Sequence, residues 1–99
     1  MANFVVETFV PQDDPDRFVA DVRSLRAAAA RLTKAPGGVR HLRSYLVPSD
    51  AMGFHVLEAE TADDVARVTT AAHIEVERIV TTVSVGALRS GSRPRERAG

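Results

Sequence analysis

The stretch NFVVETFV (3–10) alternates in the two-residue period of a strand: Phe4, Val6, Thr8 and Val10 on one face, Val5, Glu7 and Phe9 on the other. Pro11 closes it. The spacing then changes. Phe18, Val22, Leu25, Ala29 and Leu32 recur every three or four residues, which predicts an amphipathic helix. Its start is marked by Asp14 as N-cap, Pro15 at the first helical position and Asp16 at the positive end of the dipole. Ala35-Pro36-Gly37-Gly38 ends it. Arg17, Arg23, Arg31 and Lys34 fall on the opposite, solvated side.

Residues 39–47, VRHLRSYLV, predict a second strand, and 54–60, FHVLEAE, a third, with PSDAMG (48–53) as the turn between them. Thr61 caps a second helix, with Asp64 three residues on in a capping-box position. Val65, Val68 and Ala72 form its apolar stripe, which gives out near His73. The β-branched run 76–85 predicts the last strand. The order β-α-β-β-α-β with short connections is the ferredoxin-like, split βαβ arrangement: an α+β domain with a four-stranded antiparallel sheet in order 4-1-3-2 and both helices on one face.

Helices cover only one side of such a sheet. Pairing Val47 with Phe54 puts Leu42, Ser44, Leu46, His55, Leu57 and Ala59 under the helices with Phe4 and Val6. Val5, Phe9, Tyr45, Val47, Phe54 and Val56 then lie on the open side, more apolar surface than a monomer leaves wet. The simplest cover is a second copy, in a twofold homodimer through the open sheet face. On this register Glu7, His41, Arg43 and Glu58 share that face. Such a set can ligate a borderline metal, act as acid and base, or form a structural ion-pair network around Arg43.

Composition narrows the chemistry. The 99 residues suit one domain, and the absence of cysteine excludes disulfides, zinc ribbons, iron–sulfur clusters and thiol catalysis. No apolar run reaches the ~18 residues of a membrane helix, and no basic segment precedes an apolar one as in a secretory leader. The expected compartment is the cytoplasm, with no membrane partner. Net charge is zero, so no nucleic-acid partner is expected. The charge is uneven, however: residues 89–99, RSGSRPRERAG, carry +3 and no large apolar side chain. They are expected to be a disordered basic tail behind a domain spanning 1–88.

The histidines are the remaining candidates. His55 on the helix side is expected to be a core imidazole bonded to backbone. His73, followed by Glu75 and Glu77, offers a surface His-x-Glu metal site or simply a helix-end imidazole near the last carbonyls. No HExxH, P-loop, GxGxxG or nucleophile elbow occurs.

Three stretches, FVVETFVP (4–11), VRHLRSYLVPSDAMGFHVLEAE (39–60) and ADDVARVTTAAHIEVERIV (62–80), together resemble a small bacterial family of dimeric ferredoxin-like proteins. The family was catalogued as a domain of unknown function, and its characterised branch is described as nickel-binding. The resemblance covers about residues 3–85. The chain departs from the pattern at His73 and Glu75, where a Gly-x-Pro usually follows the second helix, and at His55, where the third strand often has Cys. Because His tolerates positive φ, the helix end is expected to survive that change. The resemblance implies a homodimeric divalent-metal-binding protein that takes Ni2+, with His41, Glu7 and Glu58 as the leading ligand set and His73 with Glu75 as the surface alternative. Two other classes remain open: a dimeric α/β-barrel enzyme of the cofactor-independent monooxygenase or isomerase type, and a plain interaction module.

Overall fold

The computed structural model describes residues 2–32 and 38–83. The expected helix stop at 35–37, the end of the last strand at 84–85 and the basic tail at 89–99 lie outside them. Strand β1 (Ala2–Phe9), helix α1 (Pro15–Leu32), strands β2 (Arg40–Val47) and β3 (Met52–Ala59), helix α2 (Ala62–Ala71) and strand β4 (Arg78–Thr82) follow one another in the expected order. The sheet runs β2-β3-β1-β4, all neighbours antiparallel, which is the order 4-1-3-2 read from the other edge.

Alternation places the core. Phe4, Val6, Leu57 and Ala59 point from β1 and β3 towards the helices and are buried. They meet Leu25, Ala28 and Ala29 of α1, Val65 and Val68 of α2, and Ala72 just past its end. Full burial of one such aliphatic side chain contributes about 1.5–3 kcal/mol. Both ends of α2 follow from local chemistry. Thr61 Oγ1 accepts from the Asp64 backbone N–H at 3.2 Å. At the other end His73 takes φ 59°, its N–H donates to the Thr70 carbonyl and the Ile74 N–H to the Thr69 carbonyl, both at 3.0 Å. This is a Schellman closure with His in the place usually held by Gly.

The hairpin departs from expectation. Its loop is a 3-10 turn, Pro48–Asp50, followed by Ala51 at φ 54°, so Val47 pairs with Met52 and Tyr45 with Phe54. The expected loop was two residues longer. Because the correction is an even number of positions, Ser44, Leu46, Tyr45 and Val47 keep their predicted faces.

Gly53 in β3 lies directly beneath Phe18 of α1. A Cβ there would stand 2.9 Å from Phe18 Cε1 and 2.9 Å from Thr8 Oγ1. In an ordinary strand, Gly→Ala gains roughly 0.5–1 kcal/mol; here the overlap reverses the sign. Gly53→Ala is expected to destabilise the fold by about 1–3 kcal/mol, measured as a shift of the urea midpoint at constant slope. A variant as stable as the parent would mean that Phe18 yields freely.

Candidate functional site

The chemistry gathers at the edge of the sheet where β2 meets α1. The β2–β3 register runs Tyr45↔Phe54, Ser44↔His55 and Arg43↔Val56, and then slips: His41 pairs with Leu57 and Arg40 with Glu58. Leu42 is the extra residue of a β-bulge. One inserted residue inverts the alternation, so His41 shares the side of Leu57 and His55, under the helices, rather than that of Arg43 and Tyr45. The expectation that His41 lies on the open face with Glu7 and Glu58 is therefore corrected.

What the bulge assembles is a chain of side chains. Arg26 Nε of α1 donates to His41 Nδ1 at 3.2 Å. His41 Nε2 and Ser44 Oγ are 2.7 Å apart, and Ser44 Oγ and His55 Nδ1 are again 2.7 Å apart. The two imidazole centroids lie 6.5 Å from each other. Phe18 stacks on the His55 ring, centroids 5.3 Å apart and planes 16° from parallel. His55 is fully buried, and its Nε2 has no hydrogen-bond partner among the described residues. Burial, with the neighbouring His41 adding to it, pushes the His55 pKa down to about 4. His41 is lowered as well, first by burial and then by the Arg26 guanidinium. Both rings are neutral at pH 7, the form in which imidazole ligates metals. His55 thus bonds to a side chain rather than to backbone as expected.

The carboxylates of the leading set are elsewhere. Glu7 sits opposite Arg78 and pairs with it at 3.1 Å; Glu58 sits opposite Arg40 and pairs with it at 3.4 Å. Along the β1–β3 ladder Glu7 is level with Phe54 and Glu58 with Asn3. Four strand residues separate those rungs, about 13 Å. Each carboxylate is neutralised by its own cross-strand arginine, and neither reaches His41. Arg43, the expected anchor of an ion-pair network, is exposed opposite Val56. His73 and Glu75 are both exposed, with His73 serving the helix closure described above. No group of three or more His, Cys, Asp or Glu side chains able to hold a metal ion occurs among the described residues. The ligand set first expected therefore does not fit an ion; the His41–His55 pair supplies two donors.

The open side of the sheet carries Val5, Phe9, Tyr45, Val47, Phe54 and Val56, joined by Met52 and Val80 from neighbouring rungs. Phe9, the last residue of β1, is 53% exposed, and Tyr45, on the edge strand β2, is 51% exposed. The Arg78–Glu7 ion pair reaches into this patch, with Glu7 between Val5 and Phe9 on β1, and Arg40–Glu58 lies beyond the Val56 rung. No helix among the described residues is long and apolar enough to cross a membrane.

No family model matches the chain, and no curated protein matches it. Among solved structures the chain is similar to the crystal structure of SCO4226 from Streptomyces coelicolor A3(2). The TM-score is 0.71 and sequence identity 16%, with 85% of this chain and 100% of that one covered. At that identity the likeness establishes a shared fold.

Proposed function

We propose that the chain is a homodimeric divalent-metal-binding protein of the cytoplasm, with nickel as its leading ion and sequestration or homeostasis rather than catalysis as its role. The observation that carries this reading is the convergence of two neutral imidazoles on one point. His41 Nε2 and His55 Nδ1 each stand 2.7 Å from Ser44 Oγ. Imidazole pairs suit Ni(II), Cu(II) and Zn(II). An ion bound there takes over the role of the hydroxyl, and water completes its coordination. Burial beneath Phe18 keeps His55 deprotonated and oriented, as a ligand must be. The resemblance of the three sequence stretches to a nickel-binding family points the same way.

The second copy covers the open face, where the apolar strip is broad enough for a twofold contact. The histidine pair lies on the helix side, so the dimer contact does not cover it. Light scattering at micromolar concentration should give twice the chain mass, and Tyr45→Glu should give the monomer; a monomeric parent would end the dimer part of the proposal.

Isothermal titration with Ni(II), Zn(II) and Co(II) tests the metal. Binding should be tighter than millimolar, a threshold of ~4 kcal/mol. It should weaken at least about tenfold in His41→Ala and in His55→Ala, equivalent to about 1.4 kcal/mol, and stay unchanged in His73→Ala and Glu7→Gln. Loss in His73→Ala alone would move the site to the end of α2. No binding in the parent would overturn the metal reading.

A further inference from the structure

The hydrogen bonds around Ser44 have a direction. A guanidinium has donors only, so the contact from Arg26 Nε requires a bare Nδ1 on His41. A neutral His41 then carries its proton on Nε2 and donates it to Ser44 Oγ. The hydroxyl is free to give its own hydrogen to His55 Nδ1. The His55 proton is left on Nε2, the buried atom without a partner among the described residues. One cation on α1 thereby sets the tautomer of two imidazoles in the sheet, through a hydroxyl.

This wiring opposes the use of His41 as a ligand. Its Nε2 faces the point of convergence but holds a proton, and a neutral ring frees that nitrogen only by moving the proton to Nδ1. The Arg26 N–H already points at Nδ1, and two N–H groups cannot share one hydrogen bond. We infer that Arg26 is a positioning residue that latches the pair in its metal-free tautomer, so that uptake of an ion requires Arg26 to let go. The inference rests on the metal-binding reading for its consequence, although the wiring itself is a property of the metal-free protein. It also gives α1 a part in the site beyond packing: the helix carries both Phe18, which holds His55, and Arg26, which restrains His41.

The test has two readouts. Two-bond proton–nitrogen correlation spectra of the metal-free protein distinguish a protonated from a bare ring nitrogen. They should show the Nε2-protonated form for both His41 and His55 in the parent. In Arg26→Gln, whose amide oxygen accepts from a ring N–H, His41 should shift to the Nδ1-protonated form. Nickel affinity by isothermal titration should rise about tenfold in Arg26→Gln, equal to about 1.4 kcal/mol. It should stay within about threefold of the parent in Arg26→Lys, which keeps both charge and donor. Arg26 is exposed, so circular dichroism should be superimposable in all three proteins. An Nδ1-protonated His41 in the parent would overturn the latch. So would equal nickel affinity in parent and Arg26→Gln, or an equal rise in Arg26→Lys. Absence of nickel binding in every variant, with the tautomers as expected, would refute the metal reading and leave the wiring standing.

Discussion

Acidification from pH 7 towards pH 4 is expected to remove roughly 3 kcal/mol of folding free energy through His55. In the unfolded chain this histidine titrates near 6.5, and in the folded chain burial holds it near 4. Between those values the unfolded state binds a proton that the folded state refuses. Stability therefore rises with pH across the window: the contribution is fully present above 6.5 and is lost as pH falls to about 4. His41, also lowered, acts in the same sense. Asp21, raised by its partial burial, acts in the opposite one, since the folded state then holds its proton more readily. Urea unfolding at several pH values should show the decline in the parent. His55→Gln should be less stable at pH 7, because it loses the Phe18 stack, yet lose less than half as much on acidification. An unchanged pH slope in that variant would assign the decline to other groups.

Leu57→Ala should be among the most damaging single changes. Leu57 is fully buried at the middle of β3, paired with Phe4 on one side and His41 on the other. Removing it leaves a cavity between sheet and helices, for a loss of about 2–5 kcal/mol. For an ordered body of this size that is a fall in Tm of roughly 10–30 °C, a large part of the roughly 5–15 kcal/mol that holds a domain together. Its neighbour Val56 faces the other way. Val56→Ala should cost under about 0.5 kcal/mol if its face is wet, and clearly more if a second copy packs there. Differential scanning calorimetry of the two variants separates the core from the proposed dimer contact.

The fold was legible because its signals are local and periodic. Thr61 and Asp64 mark a helix start whatever packs above them, and the Val65, Val68, Ala72 stripe identifies the buried side of α2. The two faces of the sheet survived an error of two positions in the hairpin, because parity, not exact pairing, decides which side a residue takes. The positive φ of His73 was likewise expected from the missing Gly. The candidate site was not legible, for two physical reasons. The bulge at Leu42 leaves no glycine or proline in the sequence to announce it, and it inverts the sides of His41 and Arg40 together. The partner of Glu7 depends on the register of β1 with β4, far apart in the chain, and the partner of Glu58 depends on the bulge itself; pattern sets neither. A His-x-x-Ser run (41–44) opposite a buried His55 was the available clue, and it becomes a cluster only once β2 and β3 are aligned.

The bulge also changes what a genetic event can do to this protein. At most positions of a strand, a lost codon slides every residue beyond it to the wrong side and ruins the core. Removal of Leu42 would instead leave Arg43 opposite Val56 and His41 opposite Leu57 on successive rungs of a regular ladder, with His41 still under the helices and the rest of the hairpin in place. Chain length at this one position can thus vary by a residue without moving the imidazole to the other surface. In comparisons with distant relatives, a one-residue gap at that point therefore carries less chemical meaning than a change of residue type at His41 beside it.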